Sequence, residues 1–489
     1  MDRIFVVFLP YLLGLMWRDP PGLSIALSSV GSFFIAGIAQ TRWFRQSGDN
    51  LPITHRLLRP GFMFHLFFVA YHVVGAGFYA LNAAGFGFFG RDLDPLEDVL
   101  KTIAVGQAWM LLAHASVTAG IKLVGFRYGP PKYVIRSIPP YSLIVVSLIA
   151  LGVGTVSALI PGLWNLSQKL LDISATAILV EFALSVRRRR FINMAVTFLL
   201  LGINLTRMMI SGWRGLVLFS GITLAALLYP LMPRRVVIGG SAFVLIWFLF
   251  LYPLGTLLRP LLWYVGVGRS AAVTLSLEPV LSMSLEERLE QIWGGLSGRA
   301  NDMDAFGKYL EFVPGNRPYY GVELVKESMF GLVPRILWPG KPDLEQLSME
   351  RVYEAGVVPR ESLVSAKSNF FQDAYLSGGG AGIVIACLLL GMLIMVISRT
   401  CERWFGGYDI GTCVIYVSLF GTTINMPSNF VFFVGGAWTS YLLMVGLLIL
   451  GRARGWIVPA RPGDRHRRKP LLLALIEYLE GRKPQRGEG

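Results

Sequence analysis

The sequence predicts an all-α polytopic membrane protein with about twelve transmembrane helices and one large, partly helical extracytoplasmic loop between helices nine and ten. Of its 489 residues, 54% are hydrophobic and only 15% are charged, which is more apolar surface than a soluble protein of this length could bury. Apolar segments also recur at the length of roughly twenty residues that a helix needs to cross a bilayer. A polar stretch over 268–372 interrupts them.

The apolar segments predict nine spans before the polar stretch and three after it. The first lies beside a single Arg and Asp2, and no small-residue cleavage site follows it. We therefore interpret it as a short span and not as a signal peptide, with re-entrant or interfacial placement as the alternative. The predicted spans are 4–17, 22–40, 61–83, 102–124, 140–160, 170–186, 191–210, 214–230, 237–258, 376–398, 408–425 and 430–451.

These boundaries divide the chain into four predicted parts. Within the loop, Ser284 followed by Glu287 predicts a capping box that opens an amphipathic helix, either interfacial or packed as an ordinary globular helix. In the tail, the short apolar segment 471–479 indicates a helix on the cytoplasmic leaflet. The parts are an N-terminal bundle (1–258), an extracytoplasmic loop with interfacial helices (259–375), C-terminal transmembrane helices (376–451) and a basic cytoplasmic tail (452–489).

Basic residues fall in alternate connections, whereas the intervening connections are short or acidic. Because loops rich in Lys and Arg stay in the cytoplasm, this pattern predicts cytoplasmic N- and C-termini and an outward-facing polar stretch. The net charge of +15 comes from these scattered clusters, so we do not predict nucleic-acid binding. The clusters are Arg42/Arg45/Arg56/Arg59, Arg127/Lys132/Arg136, Arg187 to Arg190, Arg234/Arg235, Arg399/Arg403 and the tail from Arg452 onward.

Several kinds of site are not predicted. The three cysteines, Cys387, Cys401 and Cys413, all lie outside the polar stretch, so neither a disulfide framework nor a metal site is expected. The sequence lacks a Walker-type phosphate loop, and no cofactor is expected. All five histidines also lie outside the stretch, so proton transfer there would use a carboxylate, if any group is used: Asp302, Asp304, Glu323, Glu327 or Asp343.

Two arginines mark the outer ends of predicted spans seven and eight. Arg207 and Arg214 flank Ser211-Gly212-Trp213. An Arg beside a bilayer is costly and is usually paired or functional, and a guanidinium offers a planar fork of donors that fits phosphate oxygens. The alternative is a side chain that anchors the helix at the interface. We predict a substrate-binding role for both.

The polar stretch contains two further candidate clusters. Arg299, Asp302 and Asp304 place a cation and two carboxylates within six residues, which could orient or deprotonate a hydroxyl; a solvated turn is the alternative. In Pro334–Pro342, prolines restrict the backbone so that Arg335 and Lys341 are held in place. Trp338 in that segment, like Tyr319 and Tyr320 upstream, offers a face for stacking on a sugar.

The predicted spans also carry polar residues. His65 and His72 share a face of span three, where hydrogen bonds between helices are the favoured interpretation. Asp172 and Glu181 lie in span six and are either functional carboxylates or polar pairs inside the bundle.

The chain resembles the bacterial Wzy-type polymerases of O-antigen and exopolysaccharide repeat units. The resemblance rests on Arg299 with Asp302 and Asp304, on the Tyr320-Gly321 step, and on Pro-Arg-x-x-Trp-Pro-x-Lys-Pro at Pro334–Pro342. It extends to the predicted topology. Trp213-Arg214-Gly215 is similar to the Ser-Arg-Gly step of O-antigen ligases, with Trp where those enzymes have Ser.

The resemblance implies transfer of a growing glycan from undecaprenyl diphosphate to the terminal sugar of a new lipid-linked repeat unit, at the outer side of the bacterial cytoplasmic membrane. Related ligases use an external His, which this polar stretch lacks, so the polymerase branch is favoured. The implied partners are the lipid-linked glycan, membrane lipid, a chain-length regulator and a flippase. The implied roles are diphosphate binding by Arg214, Arg299 and Arg335, supported by Arg207 and Lys341, and action of Asp302 or Asp304 on the acceptor hydroxyl.

Three alternatives remain at this point. A flippase or other secondary transporter would suit twelve spans with intramembrane carboxylates, although transporters commonly have paired halves and need no such loop. A ligase would use similar chemistry. A non-catalytic subunit of an export complex is the third.

Overall fold

The computed structural model of the protein is predominantly helical. It describes residues 3–41, 43–44, 59–87, 96–124, 131–135, 141–160, 162–210, 214–229, 231–299, 302–335, 337–361, 367–405, 410–425 and 427–460. In these ranges, six helices are long and apolar enough to cross a membrane: Pro21–Ala39, Pro60–Ala83, Phe191–Ile210, Pro233–Pro260, Phe370–Trp404 and Phe430–Ala453. These helices are consistent with a membrane protein.

Helices underlie all nine segments that the sequence predicts as spans before the polar stretch. A 3₁₀ turn, Phe5–Phe8, precedes the first helix, and π-helical stretches continue two others at Val69–Val74 and Trp247–Leu251. The α-helices are α1 (Leu9–Met16), α2 (Pro21–Ala39), α3 (Pro60–Phe68), α4 (Gly75–Ala83), α5 (Glu97–Val124), α6 (Ser142–Ser157), α7 (Trp164–Arg188), α8 (Phe191–Ile210), α9 (Arg214–Leu228), α10 (Pro233–Ile246) and α11 (Tyr252–Pro260).

The polar stretch is itself built of short helices, and the three segments predicted as spans after it are helical too. π-Helical stretches occur at Leu261–Val265 and Gly295–Arg299, and a 3₁₀ turn at Phe330–Leu332. The α-helices are α12 (Arg269–Ser282), α13 (Leu285–Gly294), α14 (Met303–Phe312), α15 (Glu323–Met329), α16 (Leu344–Glu354), α17 (Phe370–Trp404), α18 (Ile410–Asn425) and α19 (Phe430–Ala453).

Local sequence signals account for several helix starts. Proline occupies the first turn of α2, α3 and α10, where its missing N–H costs no hydrogen bond. The predicted capping box at α13 is confirmed: the Ser284 hydroxyl accepts from Glu287 N at 3.2 Å, and the Glu287 carboxylate accepts from Ser284 N at 2.6 Å. Asn369 and Gln372 form a second capping box that begins α17.

Helices α5 and α17 form the central pair of the bundle. Glycines allow their backbones to approach closely: a Cβ at Gly120 would lie 2.1 Å from Leu388 O, and one at Gly391 would lie 2.1 Å from Val117 O. Small residues at such contacts are typical of helix packing in membranes. Any side chain at either glycine would therefore separate the two helices.

Helix α17 is broken near its start. Gly378 and Gly379 leave helical geometry, and Gly379 has a φ of +59°, which glycine adopts at little cost. The break sets Phe370–Ser377 apart from the long apolar part of the helix. The Leu376 carbonyl accepts instead from Tyr320 N in the polar stretch, at 3.0 Å.

The main hydrophobic core runs through the bundle and includes residues from helices of the polar stretch. Met303, Phe306 and Tyr309 of α14 are buried in the same cluster as residues of α3, α5 and α17. At the far end of α19, a two-stranded antiparallel ribbon joins β1 (Tyr133–Ile135) to β2 (Ile457–Pro459). The helices of the polar stretch therefore pack against the bundle and share its hydrophobic core.

Candidate functional site

Asp302 lies just before α14, half-buried at the junction of the polar stretch and the bundle. Its carboxylate accepts a hydrogen bond from Asn369 Nδ2 at 2.7 Å and a longer one from the Tyr71 hydroxyl at 3.5 Å. Its backbone carbonyl accepts from Gln372 Nε2 at 3.0 Å. One residue of the predicted site is thus fixed by side chains from α17 and from the π-helical stretch after α3.

The environment of Asp302 favours proton uptake. Burial raises the pKa of its carboxyl above the ordinary value, while the hydrogen bonds from Asn369 and Tyr71 act in the opposite direction. A raised pKa makes a carboxylate a better proton acceptor near neutral pH. Asp304, by contrast, is exposed on the first turn of α14 and contacts Tyr79. Of the two predicted carboxylates, Asp302 is therefore the one that side chains of the bundle enclose.

A buried ion pair that the sequence did not suggest lies among the helices of the polar stretch. Arg351 Nη1 of α16 is 2.5 Å from a carboxylate oxygen of Glu327 in α15, and these side chains are 5% and 16% exposed. Burial disfavours the charge of Arg351, but the carboxylates of Asp373 and Glu327 outweigh it and raise its pKa. Burial raises the pKa of Glu327 even though Arg351 opposes the shift.

The Arg351 cluster connects the polar stretch to the start of α17. Asp373 accepts hydrogen bonds from Ser368 Oγ at 2.5 Å and from Phe430 N at 2.9 Å. Within the described residues, Nε and Nη2 of Arg351 and the hydroxyl of Tyr309 have no hydrogen-bond partner. The charged and hydroxyl groups of the cluster come from four separate helices, so sequence spacing gave no sign of it. They belong to Arg351, Glu327, Asp373 and Tyr309.

The cations of the rigid Pro334–Pro342 segment bind backbone carbonyls of the segment itself and its flank. Arg335 Nη2 donates to Lys341 O at 3.3 Å and to Pro342 O at 3.2 Å, while Lys341 Nζ donates to Val333 O at 2.8 Å. Burial, followed by the positive charge of Arg335, lowers the pKa of Lys341. The segment is therefore held in one conformation by its own cations, as its prolines suggested.

The aromatic candidates differ in exposure. Trp338 is 36% exposed and packs edge-on against Phe330. Tyr320 is only 8% exposed, and the Arg317 guanidinium lies 4.0 Å from its ring centroid. Burial raises the pKa of Tyr320 to about 12. Trp338 thus retains surface for stacking on a sugar, whereas the Tyr320 ring is largely covered.

Arg207 lies at the end of α8, apart from Asp302, in a charged group with Asp172 and Lys169 of α7. Lys169 Nζ donates to Leu419 O and to Thr423 Oγ1 in α18, both at 2.8 Å. Arg207 Nε and Nη2 are buried without a partner among the described residues. Glu181 is buried farther along α7 and interacts with Asn193.

Some predicted residues fall outside the described part of the structure. Arg214 lies at the start of α9 and Arg299 at the end of a π-helical stretch, but their side chains are not described. The apolar segment 471–479 also lies outside it. Among the described residues, no hydrogen bond or ion pair joins Asp302 to Arg207, Arg335 or Lys341.

His65, His72 and His114 form a buried cluster inside the bundle. His65 Nδ1 lies 2.9 Å from His114 Nε2, which confirms the predicted hydrogen bond between helices for His65. His72 and Phe68 pack beside them. For His72 the predicted hydrogen bond is not confirmed, since its Nδ1 is buried without a hydrogen-bond partner among the described residues. Within the described ranges, no group of three or more His, Cys, Asp or Glu residues is arranged to hold a metal ion.

Sequence reasoning missed the hydrogen-bond partners of Asp302, and only some of them have a recognisable sequence pattern. Asn369 followed by Gln372 is a capping-box pattern that could have located a helix start and a fixed amide. Tyr71 lies 231 residues from Asp302, within an apolar segment, and nothing in its local sequence distinguishes it.

Comparison with curated proteins gave no match, and neither did comparison with solved structures. A family profile matches residues 9–457, which include every helix from α1 to α19 and the whole polar stretch. The chain belongs to the family described as Domain of unknown function (DUF8712).

Proposed function

We propose that the protein is an integral-membrane glycosyltransferase that polymerises oligosaccharide repeat units carried on undecaprenyl diphosphate. Its product would be O-antigen, capsule or exopolysaccharide, made on the outer side of the bacterial cytoplasmic membrane. In this proposal the chain crosses the membrane about twelve times, both termini are cytoplasmic, and 259–375 face outward. The observation that supports it best is the half-buried Asp302 carboxylate fixed by Asn369 and Tyr71.

In the proposed reaction, a hydroxyl of the acceptor sugar attacks the anomeric carbon of the donor glycan. The new bond joins that carbon to the acceptor oxygen, the bond from the carbon to the diphosphate oxygen breaks, and the diphosphate departs with the electron pair. The hydroxyl proton passes to the Asp302 carboxylate. Holding the base in place by two donors reduces the reorganisation needed during transfer.

Cations would stabilise the charge that develops on the departing diphosphate. Within the part of the chain that the structure describes, the buried Nε and Nη2 of Arg207 have no hydrogen-bond partner, and a guanidinium is suited to phosphoryl oxygens. Arg335 and Lys341 lie on a rigid segment, where backbone carbonyls occupy some of their donors. Arg214 and Arg299 complete the proposed set, and Trp338 would stack on a sugar ring. A flippase would supply the substrate and a chain-length regulator would limit the product.

Incubation of the purified protein with a defined undecaprenyl-diphosphate-linked repeat unit tests the proposal. Wild-type protein should produce a ladder of polymers. Asp302→Asn should lower the initial rate by about 100-fold or more, the usual range for loss of a general base. Asp304→Asn is the matched control, because its carboxylate is exposed, and should retain most of the rate. A wild-type protein that makes no ladder contradicts the proposal.

The cations have a separate test in cells. Arg299→Ala and Arg335→Ala should each shorten or abolish polymer in a producing strain while membrane abundance stays normal. Long polymer from both variants would exclude these two residues from diphosphate stabilisation without excluding Asp302 as the base.

A second candidate is a transporter of lipid-linked oligosaccharides. Two observations favour it: the charged group of Lys169, Asp172 and Arg207 inside the bundle, and the broken start of α17 at Gly378–Gly379. Broken helices and intramembrane charges are features of transporter sites. Deletion of the gene separates the candidates. Loss of a polymerase leaves single repeat units on the cell surface, whereas loss of a flippase abolishes external glycan.

A further inference from the structure

A cleft lies between α1, α2 and α5, and Asp302 is not among its lining residues. We infer that this cleft binds one sugar ring of the glycan substrate at a position that does not react. The inference rests on the proposed function for the class of substrate. It adds a subsite formed by Tyr11, Trp109, Arg18, Asp19 and Lys101, none of which belongs to the predicted site.

The shape and lining of the cleft suit a six-membered ring. Its cavity has a volume of about 160 Å³; an apolar cavity of about 150 Å³ accommodates benzene. Tyr11 and Trp109 provide aromatic walls, with ring centroids 6.4 Å apart, and Val105 is an apolar lining residue. Sugar rings have an apolar face of C–H groups that packs on aromatic side chains, as other apolar groups do.

The polar groups at the mouth favour a hydroxylated ligand over an anion. Arg18, Lys101 and Asp19 line the opening and are exposed, and Lys101 pairs with Asp98 at 3.2 Å. Two cations and two carboxylates leave no excess positive charge for a phosphate. Sugar hydroxyls, however, both donate and accept hydrogen bonds, so they can use charged groups of either sign.

The position of the cleft relates it to Asp302. Trp109 packs on Tyr375 of α17, with ring centroids 5.6 Å apart, and Phe306 of α14 packs on the same tyrosine at 5.7 Å. Gly106 of α5 faces Met303, the residue after Asp302. The cleft and the carboxylate are thus separated by α5, whose diameter with side chains is about 10 Å. A glycan chain could place one sugar at Asp302 and another sugar in the cleft.

Saturation-transfer NMR on the purified full-length protein in detergent tests the inference directly. The probes are the methyl glycosides of glucose, galactose and rhamnose, together with N-acetylglucosamine. At least one should show ring-proton signals that fall threefold or more in Trp109→Leu and in Asp19→Asn. The matched controls, Trp164→Leu and Glu278→Gln, change exposed residues elsewhere and should leave the signals intact. Asp19→Asn replaces an exposed side chain with one of similar size, so it still tests the cleft if Trp109→Leu fails to fold.

Three outcomes would overturn the inference. They are the absence of a probe signal from wild-type protein, equal signals from site and control variants, and loss of the signals on addition of phosphatidylglycerol. The last outcome would assign the cleft to a phospholipid.

These outcomes are distinguishable from failure of the proposed function. A protein that forms polymer ladders without a Trp109-dependent sugar signal retains the function and loses the subsite. A protein that gives a Trp109-dependent sugar signal but forms no polymer ladders retains the subsite and loses the proposed function.

Discussion

Burial raises the pKa of Asp302, and the hydrogen bond from the Asn369 amide opposes that shift, which leads to a pH prediction. Asn369→Ser removes the Nδ2 donor while a hydroxyl remains to cap α17. Because that hydrogen bond lowers the pKa of Asp302, its loss raises the pKa further. A base acts only when deprotonated, so the acid limb of the polymerisation rate should move to higher pH.

The pH–rate profiles of wild-type and variant protein check this shift. Asn429→Ser is the control, because Asn429 caps α19 in the same way and its amide donates to Ser348, not to Asp302. An acid limb that stays in place for Asn369→Ser, or that moves equally in both variants, would exclude Asp302 as the group that titrates.

The ion pair of Arg351 and Glu327 gives a stability prediction at the same scale. Arg351→Ala leaves a buried carboxylate without its cation, a change that costs about 3–5 kcal/mol in the free energy of unfolding. Arg360 forms a comparable pair with Glu350, but it is exposed, so Arg360→Ala should change stability little. Thermal unfolding in detergent compares the two variants. Equal losses of thermal stability would mean that the buried Arg351 pair stabilises the fold no more than the exposed Arg360 pair does.

At the scale of the element, the break in α17 is predicted to require glycine at only one of its two positions. An alanine Cβ at Gly379 would be strained by φ of +59° and would lie 2.8 Å from the Tyr319 hydroxyl, whereas nothing lies within 4 Å of one at Gly378. Gly379→Ala should therefore cost about 1–2 kcal/mol in the free energy of unfolding, and Gly378→Ala much less. Thermal unfolding of both variants is the measurement; equal tolerance would contradict the strained conformation.

The elements themselves differ in how far sequence could predict them. Starts at Pro21, Pro60 and Ser284 depend on neighbouring residues, and local signals located them to within a residue or two. The predicted span 376–398 missed both the polar first turns of α17 and its break. Those turns are stabilised by tertiary contacts, such as the hydrogen bond from Tyr320 N to Leu376 O, which periodicity does not reveal.

The same limit applies to the site. Sequence spacing made Asp302 a candidate because charged residues cluster locally, but it could not distinguish Asp302 from Asp304. The distinction depends on Tyr71 and Asn369, which lie 231 and 67 residues away. The positions of Arg335 and Lys341 on a rigid segment followed from prolines, whereas their carbonyl partners depend on how that segment turns. Local composition therefore predicted which groups are present, and the fold decides which ones are buried together.

At the scale of the whole molecule, the length of α19 allows the proposed topology to be tested. Its first turn contacts the polar stretch, since Gly331 lies against Val431 and Gly435. Its 24 residues extend about 36 Å at 1.5 Å per residue, enough to cross the hydrocarbon core. Gly340 and Arg454 are exposed near opposite ends of this helix, so cysteines at the two positions should be reached from opposite sides of the membrane.

Labelling with a membrane-impermeant maleimide tests this arrangement in intact cells. In a chain with Cys387, Cys401 and Cys413 replaced by serine, Gly340→Cys should react from outside, and Arg454→Cys only after the membrane is permeabilised. The expected direction follows from the proposed topology, in which the basic residues after α19 would retain that end in the cytoplasm. Reversed labelling would place Asp302 in the cytoplasm, where a glycan exported on its lipid carrier could not reach it. Labelling of both cysteines from one side would mean that α19 does not cross the membrane.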